Sequence, residues 1–457
     1  MDRIREQKHT YLLSKLLLAG GHLATVWILI LILLFPLSAD AVEPEDPAQG
    51  LSLSEAISTV LEKSPLSSVA QNGALAAEQA RKAARGEFLP KVKAQYNYTR
   101  LSETPSASFG GIEMDFGSQD QSTIQGRVEQ PLFTGFALVS QYRTAKLGEQ
   151  QAAWDEQAIR QDLILQTHEA YFGVLLAERN LDVAEQAVAQ LTSHAEVAKQ
   201  FYENGTTPKN DLLKALVQLA DTKRNRIEAM HQLDLARSQM NILLQREVQA
   251  PLKLKEALVY RPYKRSLEES ISLAMTHHSD LLTSKLNIDK AKQGVNLSRS
   301  GLFPNVALVG SMQHEEGTFS EEEDTLSATL HAEWALWEWG SNFYKVKESK
   351  SQLLMAKAQY ANQVDMIKLQ VQRAYLEIEE WRQAIEVAKT SIEQAKENYR
   401  ITEEQYKESI TTSTEVLDAQ TLLDQSQVNY YSALSNYNIA IARLERAMGI
   451  LTIPGEN

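Results

Sequence analysis

The sequence of 457 residues contains no cysteine. Disulfide bonds, thiolate metal sites and cysteine nucleophiles are therefore excluded. A lipoprotein anchored through an N-terminal lipid is excluded as well, because a cysteine has to carry that lipid. The fold must be held together by packing and hydrogen bonds, and any chemistry must use other side chains.

Basic residues are in deficit. The chain has 46 Lys and Arg against 59 Asp and Glu, which gives a formal net charge of −13. Phosphate contacts in nucleic-acid binding need clustered Lys and Arg. We therefore expect no nucleic-acid partner.

Long apolar runs are missing apart from one near the N-terminus. Leu23 to Phe35 is apolar, follows a basic segment and precedes Ala39-Asp40-Ala41, a small-x-small cleavage pattern. This arrangement indicates a secretory signal peptide, residues 1–41, cleaved after Ala41. The alternative is a retained inner-membrane anchor, for which the run is short. Since no later segment reaches about 18 apolar residues, we expect no transmembrane helix in the mature chain.

Proline is scarce, and residues 137–203 contain none. Apolar residues recur there at alternating spacings of three and four from Val174 to Tyr202, and again from Ile378 to Tyr406. Such heptads are typical of coiled-coil packing. A helix over roughly 67 residues would be roughly 100 Å long, which is too long for one globular core.

Turn residues separate these long helices from shorter ones. Asn204-Gly205-Thr206-Thr207-Pro208 supplies a left-handed stop and a proline at a helix start, and Ser64-Pro65 is another start. The helices that follow would end near residues 246 and 87. Placed end to end they match one long helix, so we infer that two short helices run alongside each long one.

The chain contains an internal repeat. Residues 53–92 align with 267–306 without a gap, and residues 129–245 align with 333–449. The two offsets differ, so the copies differ in length between about residues 93 and 128, where a tolerant loop is expected. A duplicated unit of this kind predicts one body made of two similar halves.

Each half contains two short segments with strict alternation of apolar and polar residues. They are typical of strands of a transmembrane β-barrel, and Tyr96, Tyr98, Trp334, Trp337 and Trp339 fit its aromatic girdles. The alternative is an ordinary half-buried sheet. Four strands cannot close a membrane barrel, which needs about eight, so an oligomer would have to complete it. The polar connections 101–121 and 313–324 are interpreted as solvated loops.

These signals divide the chain into five parts. Residues 1–41 are the signal peptide, 42–255 the first repeat, 256–266 a linker, 267–451 the second repeat and 452–457 a tail. The first repeat is predicted to contain strands at about 88–100 and 122–133 and helices at about 137–203 and 208–246. The second is predicted to contain strands at about 303–313 and 325–337 and helices at about 341–407 and 412–448.

Several motifs resemble the TolC family of outer-membrane efflux channels. Phe88-Leu89-Pro90 and Leu302-Phe303-Pro304 are similar to its helix-to-strand corner, Gln130 to Gly135 and Trp334 to Gly340 to its return from strand to helix, and Tyr406 to Ala419 to its inner-gate segment. The resemblance covers about residues 50–451. It implies an α+β membrane protein with duplicated helix–strand–strand–helix halves, in which a trimeric 12-stranded outer-membrane β-barrel is continued by a long periplasmic α-helical coiled-coil barrel.

The resemblance also implies a gate. Glu415 and Asp418 match two acids that line the closed periplasmic entrance of the family. Residues at i and i+3 share one face of a helix, and three chains would place six carboxylates around a narrow, cation-attracting mouth. Two simpler interpretations stay open: Thr412 to Glu415 has the sequence of a capping box, and both acids could be solvated surface charges.

Other tip residues take roles from the resemblance. Tyr406 and Asp211 match a hydrogen bond that holds neighbouring hairpin tips together, whereas Thr411 stands where a family member has arginine. We therefore expect a less tightly locked tip, or one locked by other residues. Gly205 and Ser409 lie in turns that resemble the docking points of a periplasmic adaptor, although plain turn chemistry would also explain them.

We expect no catalytic site, cofactor or metal site, because the nine histidines are scattered and no phosphate-binding glycine loop is present. The resemblance implies a homotrimeric exit duct in the outer membrane of a Gram-negative-type cell, extending into the periplasm. It would contact outer-membrane lipid, a periplasmic adaptor (membrane fusion protein) and an inner-membrane pump, proton-driven or of the ABC type, for efflux or type I secretion. The alternative is a periplasmic coiled-coil scaffold or adaptor-like protein without a channel. The exported substrate is not encoded in any feature of the sequence.

Overall fold

The computed structural model describes residues 50–115, 117–318 and 324–454. The predicted signal peptide and the last residues of the predicted tail lie outside this part of the chain. The described helices are α1 (Leu53–Lys63), α2 (Pro65–Gly86), α3 (Ala137–Glu203), α4 (Lys209–Leu243), α5 (Leu267–His277), α6 (Ser279–Ser300), α7 (Ser341–Lys407) and α8 (Ser413–Met448). The strands are β1 (Lys91–Arg100), β2 (Ser106–Phe109), β3 (Ile112–Asp115), β4 (Asp120–Thr134), β5 (Asn305–Glu316) and β6 (Asp324–Glu333).

Four of the strands form one antiparallel sheet in the order β1-β4-β5-β6. The first repeat supplies β1 and β4, the second supplies β5 and β6, and the two repeats meet where β4 pairs with β5. The register places Val92 opposite Val128, Val128 opposite Gly310 and Gly310 opposite Ala328. Residues that alternate along one strand therefore continue onto the same face of the next strand.

The helices pack side by side around the two long ones. Next to the sheet, α2 contacts α3, α3 contacts α6, and α6 contacts α7. In the half away from the sheet, α4 and α8 both pack against α3, and α8 packs against α7. Each long helix of 67 residues thus has two shorter helices along its length, as the pattern of turn residues predicts.

The two larger clusters of buried side chains hold these helices together. One lies where α1, α5 and the linker meet the middle of α3, α7 and α8. There Glu256 accepts the backbone N–H of Leu53 at 3.0 Å, and the Tyr437 hydroxyl donates to the carbonyl of Arg261 at 3.1 Å. The second cluster lies at the ends of α3 and α7 away from the sheet and includes Ala198, Tyr406 and Val416.

Three sequence-based predictions need correction. The connection 101–121 is not simply a loop, because β2 and β3 form a separate hairpin within it, with Ala107 opposite Met114. Strand β6 ends at Glu333 rather than near residue 337, because β5 begins at Asn305, the partner of Glu333, and offers no further pairing. The proline at residue 208 is the N-cap of α4 rather than its first helical residue.

Among the described residues, no helix combines the length and apolar character needed to cross a membrane.

Candidate functional site

The four-stranded sheet has one apolar and one polar face. The large, exposed apolar side chains that share one face are Val92, Tyr96, Tyr98, Ile124, Val128, Leu308, Met312, Leu326 and Leu330. The register assigns Lys93, Gln95, Gln125, Arg127, Gln313, Ser327 and Thr329 to the opposite face. A sheet that is apolar on one side and polar on the other is the pattern of a barrel with lipid outside and water inside.

An aromatic cluster fixes the sheet to the helices. The rings of Phe133 and Phe136 lie 5.4 Å apart, and Phe303 contacts both at 6.5 and 6.4 Å, in edge-to-face geometry. Phe136 is the N-cap of α3 and Phe303 follows α6, so the cluster joins the strand-to-helix return of one repeat to the helix-to-strand corner of the other. Two of the motifs read from the sequence, the return at Gln130 to Gly135 and the corner at Leu302 to Pro304, are therefore brought together at one junction.

The two hairpin turns at the helix ends away from the sheet share one geometry. Gly205 has φ +72° and Ser409 has φ +59°. In each turn the next residue donates its backbone N–H across the helix end, Thr206 to the carbonyl of Phe201 and Ile410 to that of Gln405, both at 2.8 Å. These are Schellman motifs, which require a left-handed residue. We call the turns 204–208 and 408–412, with the adjoining helix ends, the hairpin ends.

The predicted gate acids lie at the start of α8. Glu415 and Asp418 are both exposed on its surface. Asp418 lines a groove between α4 and α8 together with Lys214, whose ammonium donates to the Thr414 hydroxyl at 3.0 Å. In a single chain the two acids are thus solvated, and one of them has a lysine beside it.

The capping box suggested by Thr412 to Glu415 does not form. Thr412 is the N-cap of α8, but neither side chain of the motif closes a cap hydrogen bond there. The hydroxyls that follow have other partners: Ser413 bonds His194, and Thr414 accepts from Lys214. Glu415 is therefore not needed to cap its own helix.

A buried aromatic group lies behind the hairpin ends. Tyr406 is 1% exposed, and its ring lies 4.7 Å from that of His194 and 5.5 Å from that of Phe201. His194 Nε2 lies 2.8 Å from the Ser413 hydroxyl. His194 thus joins α3 to both α7 and α8 at the point where the hairpins meet.

His194 was not among the residues predicted to be functional, although the heptad spacing of the sequence marks it as buried. It follows Leu191 by three residues and precedes Ala198 by four, so it occupies a seam position of the heptad pattern. A histidine on an otherwise apolar seam is buried by the coiled coil. Burial lowers the pKa of its imidazole to about 4, and the carboxylates of Glu403 and Asp211 offset this only in part.

The proposed latch is only partly assembled in one chain. Burial, and secondarily the charge of Asp211, raise the pKa of the Tyr406 hydroxyl. Within the described residues the Tyr406 hydroxyl has no hydrogen-bond partner, and Asp211 is partly exposed. Thr411 is partly exposed in the neighbouring turn. A hydrogen bond between Tyr406 and Asp211 stays a prediction.

The described residues contain no group of three or more His, Asp or Glu side chains arranged to hold a metal ion.

The sequence model of the outer membrane efflux protein family matches residues 56–244 and 270–450. The chain is 22% identical over 421 residues to the alkaline protease secretion protein AprF of Pseudomonas aeruginosa, covering 89% of this chain and 86% of that protein. It is 24% identical to the outer membrane protein TolC of Vibrio cholerae over 388 residues, covering 82% and 86%. The crystal structure of the Campylobacter jejuni outer membrane channel CmeC superposes with a TM-score of 0.76 at 16% identity, covering 89% of this chain and 87% of that one.

The fold and its two-faced sheet are thus those of an outer-membrane channel subunit. The chain belongs to the outer membrane efflux protein family. This membership confirms the resemblance to the TolC family, the duplicated architecture and the location in the outer membrane with helices in the periplasm. It also identifies the protein as a channel component of efflux or secretion.

Proposed function

We propose that three copies of this chain form a passive exit duct, which conducts substrate from an inner-membrane pump and its adaptor through the periplasm and the outer membrane. The observation that carries this proposal is the sheet. Its four strands have an apolar and a polar face, and β1 and β6 each have an unpaired edge. Pairing β1 of one copy with β6 of the next satisfies these edges, and three copies give twelve strands, enough to close a membrane barrel.

The helices favour the same closure. α7 lies on one side of the helical layer, whereas α2 and α4 lie on the other. Both sides expose apolar residues: Leu66, Val69, Leu213, Leu216, Val217, Ile227 and Met230 on α2 and α4, and Leu354, Met355, Met366, Leu376 and Val387 on α7. Burying these stripes against the next copy would provide the apolar contact of a stable oligomer. The helical layers of the copies would then continue the β-barrel as a tunnel.

The hairpin ends are the sites where we expect the adaptor to bind. The turns at Gly205 and Ser409 expose their backbones, and Ile410 beside Ser409 is 73% exposed. An exposed apolar residue at the tip of a turn is a suitable contact for a partner helix. The relatives of this chain include proteins named for protease secretion and for outer-membrane efflux, so either kind of pump is compatible with the duct. The protein performs no chemistry of its own in this mechanism.

The gate would be the ring of Glu415 and Asp418 from three copies. Both acids are exposed and free of a capping role, which leaves their charge available to the entrance. Lys214 beside Asp418 would offset part of this charge. With Thr411 where a family member has arginine, the turn carries no cationic latch at this position, so the buried contacts of Tyr406 and His194 would hold the closed state.

Single-channel conductance in planar bilayers tests this function. We expect the wild-type protein to form cation-selective channels that divalent cations block from the side of the hairpin ends. The double variant Glu415→Ala with Asp418→Ala should lose most of the cation preference and the divalent block. The control is Glu386→Ala with Glu393→Ala, which removes two exposed acids of α7 at roughly 20–30 Å from the hairpin end.

Two outcomes would contradict the proposal. If the double variant keeps the selectivity and block of the wild type, these acids are not the gate. If the wild type shows no conductance and fractionates with soluble periplasmic protein instead of requiring detergent, the protein is a scaffold and not a duct.

A further inference from the structure

A cavity of about 700 Å³ lies between three helices in the half of the protein away from the sheet. Its floor is α3, where Gly173 has no side chain and Ala177 and Ala184 have small ones, and its walls are α4 and α8. The cavity is deep because these residues are small and leave space above the α3 backbone. All of its lining residues come from one chain.

The cavity lining combines apolar side chains with uncharged polar ones, and its charged residues have one sign. Leu176, Val183 and Val428 contribute apolar surface, and the charged residues of the lining are Glu228 and Asp424, both acids. Glu228 lies 3.5 Å from Arg224 in an exposed pair, which balances its charge at the rim. Asp424 is therefore the unbalanced charge of the cavity.

Asp424 is poorly compensated for a carboxylate. It is half-buried, and one of its oxygens accepts a hydrogen bond of 2.7 Å from the amide of Gln420. Gln420 is itself buried, and the same amide nitrogen donates to Gln190 at 2.8 Å, so this hydrogen bond is fixed in position. Burial raises the pKa of Asp424 to about 6. At neutral pH the group is charged but lacks the solvent and the cationic partner that a carboxylate normally has.

A cavity with an apolar floor, uncharged polar groups and one unbalanced carboxylate matches a particular class of ligand. A hydrophobic body would contact the alanine floor and the aliphatic walls, while a delocalised positive charge would neutralise Asp424 without a large desolvation cost. Anions would be repelled, and small hydrated cations would leave the apolar surface uncovered. We propose that this cavity binds amphiphilic organic monocations, with Asp424 as the ion partner.

This proposal does not rest on the proposed duct function, because binding to the cavity needs no conduction. Isothermal titration calorimetry on the detergent-purified, assembled protein at pH 7.5 tests it with two probes of nearly the same shape and opposite charge. Tetraphenylphosphonium should bind, and tetraphenylborate should give no more heat than a micelle blank. A protein that binds the cation but conducts nothing would support this site and contradict only the duct.

Three variants sharpen the test. Asp424→Asn keeps the size of the side chain and should weaken tetraphenylphosphonium binding about tenfold, which corresponds to about 1.4 kcal/mol. Asp221→Asn removes an exposed acid of α4 that does not line the cavity, and should bind like the wild type. Ala229→Trp fills the cavity from α4 without changing its charge, and should abolish binding.

A pH titration of the wild type provides a measurement that needs no variant. The ionisable groups that face the cavity are Glu228 on α4 and Asp424 on α8, and α3 contributes none to the lining. On α7, Tyr399 senses the charge of Asp424, but burial raises the pKa of this phenol, so it stays neutral throughout the titration. Because Asp424 becomes neutral as the pH falls through about 6, cation affinity should decrease between pH 7.5 and 5. The proposal is overturned if tetraphenylborate binds as tightly as the cation, if Asp424→Asn binds like the wild type, or if affinity does not change with pH.

Discussion

At the scale of single residues, the packing of the hairpin ends depends on His194, which is buried in its neutral form. His194 is 2% exposed, lies against the Tyr406 ring and bonds the Ser413 hydroxyl, so it links α3 to the hairpin of α7 and α8. Its pKa is lowered to about 4 because the buried ring has little access to water. Protonation would place a charge inside this contact, where only Glu403 and Asp211 favour it.

The first prediction concerns the pH dependence of this contact. In the unfolded chain His194 takes up a proton near pH 6.5, whereas in the folded protein it does so near pH 4. The contribution of the neutral histidine is therefore complete above about pH 6.5 and is lost as the pH falls toward 4. At pH 5 the loss amounts to about 2 kcal/mol per chain. His194→Gln, which cannot take up this proton, should show a smaller drop in the thermal unfolding midpoint between pH 7.5 and 5.

The matched control is His231→Gln, which replaces an exposed histidine of α4. Its unfolding midpoint, followed by circular dichroism, should change with pH as in the wild type. Asp424 has the opposite dependence, since its raised pKa favours the folded state at low pH, but it is present in all three proteins. Equal midpoint shifts in His194→Gln and the wild type would show that His194 does not control the pH response.

At the scale of elements, both repeats return from strand to helix through two consecutive left-handed residues. They are Gly135 and Phe136 before α3, and Trp339 and Gly340 before α7, with φ between +51° and +80°. The glycine comes first in one repeat and second in the other. The surroundings of the two glycines differ: a Cβ on Gly135 would lie 2.5 Å from the Ser300 carbonyl oxygen, whereas one on Gly340 would meet only the Tyr344 ring at 3.3 Å.

The second prediction follows from this asymmetry. Gly135→Ala and Gly340→Ala both place a side chain in the left-handed region, at a cost of about 1–2 kcal/mol. Gly135→Ala must also displace backbone of the helix-to-strand corner, which adds about 1–3 kcal/mol. We expect the heat-dissociation midpoint of the oligomer to fall clearly more for Gly135→Ala than for Gly340→Ala. Equal losses of stability in the two variants would show that the close packing of Gly135 against Ser300 does not help to fix the sheet to the helices.

The elements also show how far local sequence determines this structure. The described long helices, Ala137–Glu203 and Ser341–Lys407, coincide with the intervals that the heptads and the turn residues predict. The alternation of apolar and polar residues predicts equally well which face of the sheet each strand residue occupies. With a period of two, the face of one side chain determines the faces of all the others in that strand. The hairpin of β2 and β3 was missed although Ala107, Phe109, Ile112 and Met114 alternate with polar residues around Gly110-Gly111. Each strand has only four residues, and the Ser- and Gly-rich composition of the segment favoured a loop.

The candidate site was harder to predict from the sequence than the helices and strands, for a physical reason. Turn positions such as Gly205 and Ser409 are determined by local backbone geometry, and the sequence located both. The contacts of Tyr406 with His194, and the cavity beside Asp424, join residues that are about two hundred positions or more apart. Such contacts depend on how α3 packs against α7 and α8, which no local pattern specifies.

At the scale of the whole molecule, the described sheet ends in two open edges, β1 and β6. Open strand edges pair with other strands unless they are blocked, and these two carry no proline that would prevent pairing. Joining unlike edges produces a head-to-tail contact, which either closes into a ring or grows without limit. The helical layer repeats the asymmetry, with α7 on one side and α2 and α4 on the other. Closure is therefore a property of the entire chain.

The last prediction tests this closure by cysteine cross-linking, for which the cysteine-free sequence is well suited. Gln95 of β1 and the alternate residues Thr325, Ser327, Thr329 and His331 of β6 lie on the polar face. Gln95→Cys combined with a cysteine at each of these β6 positions should yield cross-linked dimers and trimers, and nothing larger, for the pairs in register. The single variants should remain monomeric on non-reducing gels. A Gln95→Cys variant that cross-links to itself would show that like edges meet, and a ladder beyond three chains would show that the contact does not close into a ring of three.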